Sequence, residues 1–349
     1  MSTDHRVEQA RPSVPVSGRH ATAVAHPNIA LIKYWGKLDE QLVIPLVDSL
    51  SMTLDVFPTT TTVRLGPAIG TDTVTLNGMP AAGEQRRRVI AFLDLVRERA
   101  GSTEAADVET RNSVPTGAGL ASSASGFAAL AVAAAAAYGL DLDRTEMSRL
   151  ARRGSASASR SLFDGFAICH AGRGSGDAAD LSSYAEPVTV PEFDPAMVVA
   201  MVDRAPKAVS SRAAMRRTVE TSPLYPAWAE SSRADLAEIR IALERGDLEA
   251  VGEVAERNCL GMHATMLAAR PAVRYLSAAT LTVLDAVSDL RKSGVPAYAT
   301  IDAGPNVKIL CHRTDAAHVA ETIRGSVPGL STVTAGRGPG ARLRPGVGE

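Results

Sequence analysis

Hydrophobic and polar positions recur with two different periods along this chain, and the changes of period mark its elements. Ala21–Ala25, Met52–Phe57, Thr59–Leu65 and Thr73–Leu76 alternate small, β-branched and apolar residues with a period of two. That is the pattern of half-buried strands, with Asn77-Gly78 as a hairpin turn. Gly83–Ala100 shifts to the helical period, with Val89, Ile90, Phe92, Leu93 and Val96 on one side and arginines elsewhere. Asp107–Arg111 predicts another strand, running into a glycine- and serine-rich stretch at 112–126. Helices are expected at about 120–138, an alanine-dense buried one, and at 143–153. A second block opens near Ala196 with the apolar strand Met-Val-Val-Ala-Met-Val and continues through helices around 206–219, 224–245, 247–268 and 271–292. It closes with a strand at Ala297–Ile301, a turn at Asp302–Pro305, a strand at Asn306–Cys311 and a helix from Asp315.

Strands and helices are grouped rather than strictly alternating, which predicts an α+β fold in two halves. The boundary falls at about 185–195, where Glu186-Pro187 and Pro191-Glu192 interrupt the pattern. On this reading residues 1–18 are a flexible N-terminal arm, 19–190 a first domain and 191–335 a second. Residues 336–349, Gly-Arg-Gly-Pro-Gly-Ala-Arg-Leu-Arg-Pro-Gly-Val-Gly-Glu, hold little apolar area and are expected to form a flexible tail.

The bulk numbers narrow the function classes. A chain of 349 residues, 45% hydrophobic and 21% charged, has the length and composition of a globular protein with two real cores. A net charge of −1 gives no global pull toward nucleic acid or an anionic membrane, so any anion site must be local. Six Phe and six Tyr leave few platforms for stacking bases. Cys169, Cys259 and Cys311 lie far apart without metal-ligand spacing, which predicts buried thiols in a reducing compartment. No run reaches the ~20 apolar residues of a membrane span, and the N-terminus lacks the apolar stretch of a signal peptide. The expected address is the cytoplasm.

Five segments carry candidate chemistry. In 112–126, Gly117 and Gly119 permit a tight turn, and the serines that follow sit in a first helical turn whose free N–H groups and dipole favour an anion. The stretch reads as a phosphate cradle or as a plain tight turn before a closely packed helix; no Gly-Lys-Ser/Thr closes it. In 26–37, His-Pro-Asn-Ile-Ala-Leu-Ile-Lys-Tyr-Trp-Gly-Lys, Lys33 and Lys37 stand at helical i, i+4 spacing, where like charges repel and a bound polyanion would relieve them; the alternative is a solvated basic face. In 152–166, small residues and serines surround Arg160, whose planar fork suits phosphate or carboxylate, unless this is a surface loop. Asp302, between an apolar strand and a Gly-Pro turn, either caps that turn or accepts a hydroxyl proton. The segment 205–224, mixing hydroxyls and arginines, lines a charged pocket or faces water.

At this point the residues are recognisable. Pro-Thr-Gly-Ala-Gly-Leu-Ala-Ser-Ser-Ala-Ser-Gly, from Pro115, resembles the ATP loop shared by galactokinase, homoserine kinase, mevalonate kinase and phosphomevalonate kinase. Asn-Ile-Ala-Leu-Ile-Lys-Tyr-Trp-Gly-Lys, Asp-Ser-Leu-Ser-Met-Thr-Leu, Gly-Ser-Ala-Ser-Ala-Ser-Arg-Ser-Leu-Phe, Met-His-Ala-Thr and Asp-Ala-Gly-Pro-Asn follow in the order found in the diphosphomevalonate decarboxylases. The resemblance covers about residues 20–312.

The resemblance implies a two-domain small-molecule kinase superfamily fold. Its N-terminal domain would be like domain 2 of ribosomal protein S5, its C-terminal domain ferredoxin-like, and the active site would lie in the cleft between them. It implies ATP and Mg2+ as cofactors, mevalonate 5-diphosphate as the other substrate, and a homodimer. Asp302 would orient or deprotonate the 3-hydroxyl, and Lys33 would sit near the carboxylate or the transferring phosphate. Asn28, Tyr34, Lys37, Arg86, Ser155, Ser157, Arg160 and Met215 would bind the substrate. Pro115, Gly117, Ala118, Gly119, Leu120, Ala121, Ser122 and Ser123 would bind ATP, with Ser123 also serving catalysis and the metal. His26 and Ile301 depart from the family pattern in size and type. Relatives accepting mevalonate 5-phosphate, or stopping at the 3-phosphate, are the nearest alternatives. A non-catalytic RNA-binding module is the distant one, and the charge balance speaks against it.

Overall fold

The structure, a computed structural model, describes residues 20–66, 70–113, 122–190, 193–203 and 209–345. Its first half holds a sheet of six strands. In spatial order they are Arg342–Leu343, His20–Ala25, Thr59–Leu65, Ala106–Asn112, Thr73–Leu76 and Met79–Pro80. The turn at Asn77 and Gly78 has φ of 51° and 79°, the left-handed pair that a two-residue hairpin requires. The helix Ser122–Ala137 lies on this sheet. It is apolar all round, and its alanines pack with Val63, Val108, Phe92 and Phe127 in one buried cluster. The helix Gly83–Ala100 covers the flank through Phe92, Leu93 and Val96, as its periodicity predicts.

A second sheet orders the strands Ala185–Val188, Phe166–Cys169, Ser49–Thr53 and Asn28–Ile32. The strand expected at Met52–Phe57 therefore begins three residues earlier and ends at Thr53. Beyond it Leu54 makes only an isolated bridge to Arg337, and Phe57 adopts φ 58°, which ladder pairing does not tolerate. Asn28–Ile32 and Lys37–Asp39 are both strands, joined through residues 33–36. The helical spacing read for Lys33 and Lys37 is thus not realised.

The second half orders Ala297–Ile301, Val307–His312, Pro195–Met201 and Ser331–Ala335 in an antiparallel sheet. Helices Tyr225–Arg245, Leu248–Leu267, Ala278–Lys292 and Ala316–Ser326 pack around it. The helix expected from 271 starts only at Ala278, because Ser277 caps it by accepting from the Thr280 amide. The helix expected at 206–219 is Ser211–Thr221; residues 204–208 lie outside the described ones.

The halves share apolar surface. Ile29, Leu31, Leu50, Met52, Phe166 and Ile168 of the second sheet form one buried cluster with Phe193, Met197, Val199, Ile239, Leu243, Val251 and Leu310. The expected tail is corrected most clearly. Gly336–Pro345 returns to the first half as a strap, held by backbone hydrogen bonds rather than by apolar area. The amide of Gly338 donates to the Thr53 carbonyl at 2.8 Å, Ala341 to Ser161 at 2.9 Å and Arg344 to Thr22 at 2.8 Å, and Gly165 donates to the Gly338 carbonyl at 3.0 Å. Arg342 and Leu343 then pair with Val24 and Ala23 as the sheet's edge. The approach is close enough that a Cβ on Gly338 would lie 1.9 Å from the Leu54 carbonyl oxygen. Only 346–349 of that segment, like the N-terminal arm 1–18, lie outside the described residues. Cys169, Cys259 and Cys311 are buried and free, and no helix among the described residues is long and apolar enough to cross a membrane.

Candidate active site

Asp302 leaves the end of the Ala297–Ile301 strand into a turn whose geometry is fixed twice. The Gly304 amide donates to the Asp302 carbonyl at 2.7 Å, and the Thr280 hydroxyl donates to the Pro305 carbonyl at 2.8 Å. Its carboxylate is gripped from both sides: Lys33 Nζ reaches Oδ1 at 2.7 Å and Lys308 Nζ reaches Oδ2 at 3.0 Å. Burial alone would raise its pKa, but Lys308 and then Lys33 outweigh burial and hold the carboxyl well below the usual carboxylate range.

Lys33 is positioned by the second half of the chain. Its amide donates to Asn258 Oδ1 at 2.9 Å, and Asn258 is itself held by Asp235 and Ser232. Its Nζ also donates to the Ala30 carbonyl at 2.9 Å, an oxygen that the Thr300 hydroxyl approaches at 3.3 Å. His263, beneath Asp302 on the Leu248–Leu267 helix, has its imidazole pushed down to about 4 by burial, against a hydrogen bond to the Ile301 carbonyl. It is neutral near pH 7.

Arg160 is buried in the 3-10 turn Ala156–Leu162 rather than on a surface loop. Nε donates to Ser51 Oγ at 3.0 Å, Nη1 to Ser49 Oγ at 2.7 Å, and Nη2 lies 3.4 Å from Asn28 Oδ1. The two serines alternate along Ser49–Thr53 and so face the same side. All of these partners are uncharged, so the guanidinium's charge is free for an anion, although burial lowers its pKa. Asn28 also donates to Ser161 Oγ at 2.8 Å and to the Ser157 carbonyl at 2.9 Å. Ser155 Oγ lies 3.2 Å from Ser157 Oγ and 3.5 Å from Ser123 Oγ, linking this turn to the Ser122–Ala137 helix N-terminus.

These side chains border one cavity of about 360 Å³ between the halves. Asn28, Lys33, Tyr34, Lys37, Ser123, Ser155, Ser157 and Arg160 line it from the first half, and Met215 and Asp302 from the second. The Tyr34 hydroxyl is buried without a partner and its pKa is raised by that burial. Lys37 pairs with Glu40. Pro115, Gly117, Ala118, Gly119, Leu120 and Ala121 lie outside the described residues.

Arg86 is the misplaced expectation. It is exposed, and its guanidinium donates to the Asp72 carbonyl at 3.1 Å, away from the cavity. Two residues on, about 200° around the helix, Arg88 faces inward instead. It stacks over the Phe127 ring at 4.7 Å, donates to the Gly154 carbonyl at 2.9 Å and lines the cavity. Burial, then Arg212, push its guanidinium down to about 10. Arg212 lines the same cavity and pairs with Glu84 at 3.1 Å, bridging the halves at the mouth.

Sequence reasoning also passed over Lys308, Asn258, Ser49 and Ser51. The signal for Lys308 was available: a lone lysine inside the apolar run Val-Lys-Ile-Leu-Cys. A second cavity of about 170 Å³ adjoins the first at Ser123 and Arg88 and is lined by Val74, Leu76, Val89, Phe127, Thr110 and Asn112. His26 and Ile301 line neither cavity.

Two family models match the chain in tandem. Residues 25–185 match the diphosphomevalonate decarboxylase-like N-terminal domain, and residues 197–337 the mevalonate 5-diphosphate decarboxylase C-terminal domain. The chain belongs to the diphosphomevalonate decarboxylase family. A solved member of this family, in complex with MVAPP, AMPPCP and magnesium, superposes with a TM-score of 0.88 at 43% identity, covering 93% of this chain and 98% of that one. A diphosphomevalonate decarboxylase of Aspergillus fumigatus is 36% identical over 327 residues, 87% of this chain and 80% of the relative. A phosphomevalonate decarboxylase of Haloferax volcanii is 35% identical over 290 residues, 83% and 87% respectively. The two-domain α+β fold is therefore that of the diphosphomevalonate decarboxylase structures.

Proposed function

We propose that this chain uses ATP to decarboxylate mevalonate 5-diphosphate, giving isopentenyl diphosphate, ADP, phosphate and CO2, in the cavity between its halves. The observation that carries this reading is the opposition within one cavity of a carboxylate fixed by two lysines, Asp302, and a buried cation with neutral partners, Arg160. The first suits a hydroxyl to be phosphorylated; the second suits the diphosphate and carboxylate of the same substrate.

ATP fits the junction of the two cavities. The smaller one offers an apolar slot between Val74, Leu76, Val89 and Phe127, with Thr110 and Asn112 as hydrogen-bonding groups for a base. Its shared wall, Ser123 and Arg88, stands at the N-terminal turn of the Ser122–Ala137 helix, where phosphates are favoured. Magnesium also fits this donor set. Among the described residues no cluster of three or more His, Cys, Asp or Glu could cage a metal, and Mg2+ is usually held by substrate phosphates and few protein groups. Ser123 Oγ is the hydroxyl placed to join them. When bound, the ion would neutralise charge on the phosphates.

Arg160, Ser155, Ser157, Tyr34 and Lys37 hold the substrate with its 3-hydroxyl toward Asp302. The carboxylate accepts the hydrogen bond from that hydroxyl and aims its oxygen at the γ-phosphorus of ATP. The bond to γ-phosphorus forms as the bond to the ADP oxygen breaks, the hydroxyl proton passes late through Asp302 to water, and Lys33 and Arg88 offset the charge. The C3–O bond to the new phosphate then breaks. The electron pair of the bond to the departing carboxylate becomes the C=C bond, releasing CO2 and phosphate.

Incubation with Mg-ATP and, separately, mevalonate, its 5-phosphate and its 5-diphosphate tests this, following ADP, phosphate and CO2 together. CO2 from the 5-diphosphate is expected; ADP without CO2 from every candidate would sink the decarboxylase reading. The Haloferax relative makes the 5-phosphate the informative comparison. Arg160→Ala is expected to raise KM for the phosphorylated substrate about 10- to 100-fold, the worth of one or two charge-assisted hydrogen bonds. Unchanged KM and kcat would remove Arg160 from substrate binding.

A further inference from the structure

Lys308 sits in an unusual place for a lysine. Val307–His312 is an interior strand, paired with Pro195–Met201 on one side and Ala297–Ile301 on the other. Lys308 lies opposite Val199 and Thr300 in those ladders, between Val307 and Ile309, and is 1% exposed. An apolar side chain would complete the strand. A buried ammonium instead costs several kcal/mol of desolvation, which an ion pair rarely recovers in stability. Among the described residues its partners are Asp302 Oδ2 at 3.0 Å and, at 3.3 Å, the Asn306 carbonyl. Through the turn 302–306, then, one lysine holds both the carboxylate and the backbone that presents it.

We propose that Lys308 is a positioning residue for the reaction. It anchors one oxygen of the Asp302 carboxylate while Lys33 anchors the other, so that the group faces the cavity as a fixed hydrogen-bond acceptor. The proposal rests on the assignment of Asp302 to the reacting hydroxyl. A carboxylate bound at both oxygens cannot rotate about its Cβ–Cγ bond without losing an ion pair. Its remaining lone pairs therefore point in set directions. It is also a poor proton acceptor, which suits a loose phosphoryl transfer: the attacking hydroxyl needs aim early and loses its proton late. One carboxylate between two ammonium groups leaves a positive excess beside the transferring phosphoryl.

The charged and titratable groups facing Asp302 are Lys33 from the first half, Lys308 from its own sheet, His263 and Cys259 from the Leu248–Leu267 helix, and Arg160 from across the cavity. Of these, Lys308 and Lys33 act on it most strongly. Removing Lys308 takes away a contribution that favours the ionised form, so the carboxyl must titrate at higher pH.

The test compares wild type with Lys308→Met, which refills the strand's apolar position, and Lys308→Gln, which keeps a polar contact. It measures kcat, KM and the pH dependence of kcat. Both variants are expected to lose about 10²-fold in kcat, the scale of a small misplacement at the reacting centre, with KM for either substrate changed less than ~3-fold. The acidic limb of kcat should move up by about one unit or more. Wild-type kcat with an unshifted acidic limb in either variant would overturn the proposal. The wild-type profile decides independently of how the variants fold. An acidic limb in wild-type kcat above about pH 5, abolished in Asp302→Asn, would show that Asp302 titrates freely and would also overturn it. Absence of CO2 release by the wild type would instead strike the reading on which the proposal rests.

Discussion

Asp302→Asn is expected to lower turnover about 10³-fold or more while nucleotide and substrate still bind. The substitution keeps the shape of the side chain, so the cavity and the fixed turn remain. It removes the one negative charge between Lys33 and Lys308, which stand 2.7 and 3.0 Å from its oxygens. The amide can accept at one position only, and its NH2, a donor, faces an ammonium that has no lone pair to accept with. The two buried cations then repel each other without a counter-charge, a loss of about 3–5 kcal/mol for a broken buried pair. The melting temperature should therefore fall as well. The check is ADP and CO2 release in steady state, alongside calorimetric binding of a non-hydrolysable ATP analogue. Near-normal turnover would remove Asp302 from the chemistry. Lost binding with a collapsed fold would make its role structural.

Gly338→Ala is expected to be the most damaging methyl group that can be added to the strap. The new Cβ would meet the Leu54 carbonyl oxygen at 1.9 Å and the Asp55 amide nitrogen at 2.5 Å. Both are backbone atoms, and the Leu54 amide is tied to the Pro27 carbonyl at 2.9 Å, so no side chain can swing away. The strap must lift, breaking its bonds to Thr53 and Gly165. A loss of at least about 3 kcal/mol follows, or a melting temperature ~5–10 °C lower. Thermal unfolding of the purified variant measures it; a shift under 2 °C, about 1 kcal/mol or less, would mean that the strap is not fixed as described. Because Ala341 bonds to Ser161, whose hydroxyl holds Asn28, the milder cases should also raise KM for the phosphorylated substrate.

The sequence carried the parts of this fold that depend on local periodicity. Gly83–Ala100 and Ala297–Ile301 stand where their patterns place them, because the helix turns one face to a core, the strand is buried along its whole length, and each ends at a clear signal. The strap was not legible. Its glycines and arginines have almost no apolar area, and its order comes from hydrogen bonds to segments more than a hundred residues away. The same difference separates the site residues. Lys33, Arg160 and Asp302 stand out as polar groups set in apolar or small-residue runs, and the structure brings them to one cavity. Arg86 and Arg88 are the first and last of a run of three arginines, and only the helix's rotation against Phe127 decides which faces inward. Met215 is at the cavity wall for a reason that is purely tertiary: it packs with Trp35 and Trp228.

The two family models divide the chain near residue 190, yet the apolar cluster from Ile29 to Leu310 runs through that division without a break. Surfaces this apolar cannot be parted without exposing the interior of both halves. The cavity is thus a crease between halves that share one buried apolar cluster. Calorimetry should record a single unfolding transition, and neither half should fold when made alone. Inheritance and folding then follow different seams: the units by which this chain is related to its kin are not the units in which it becomes stable.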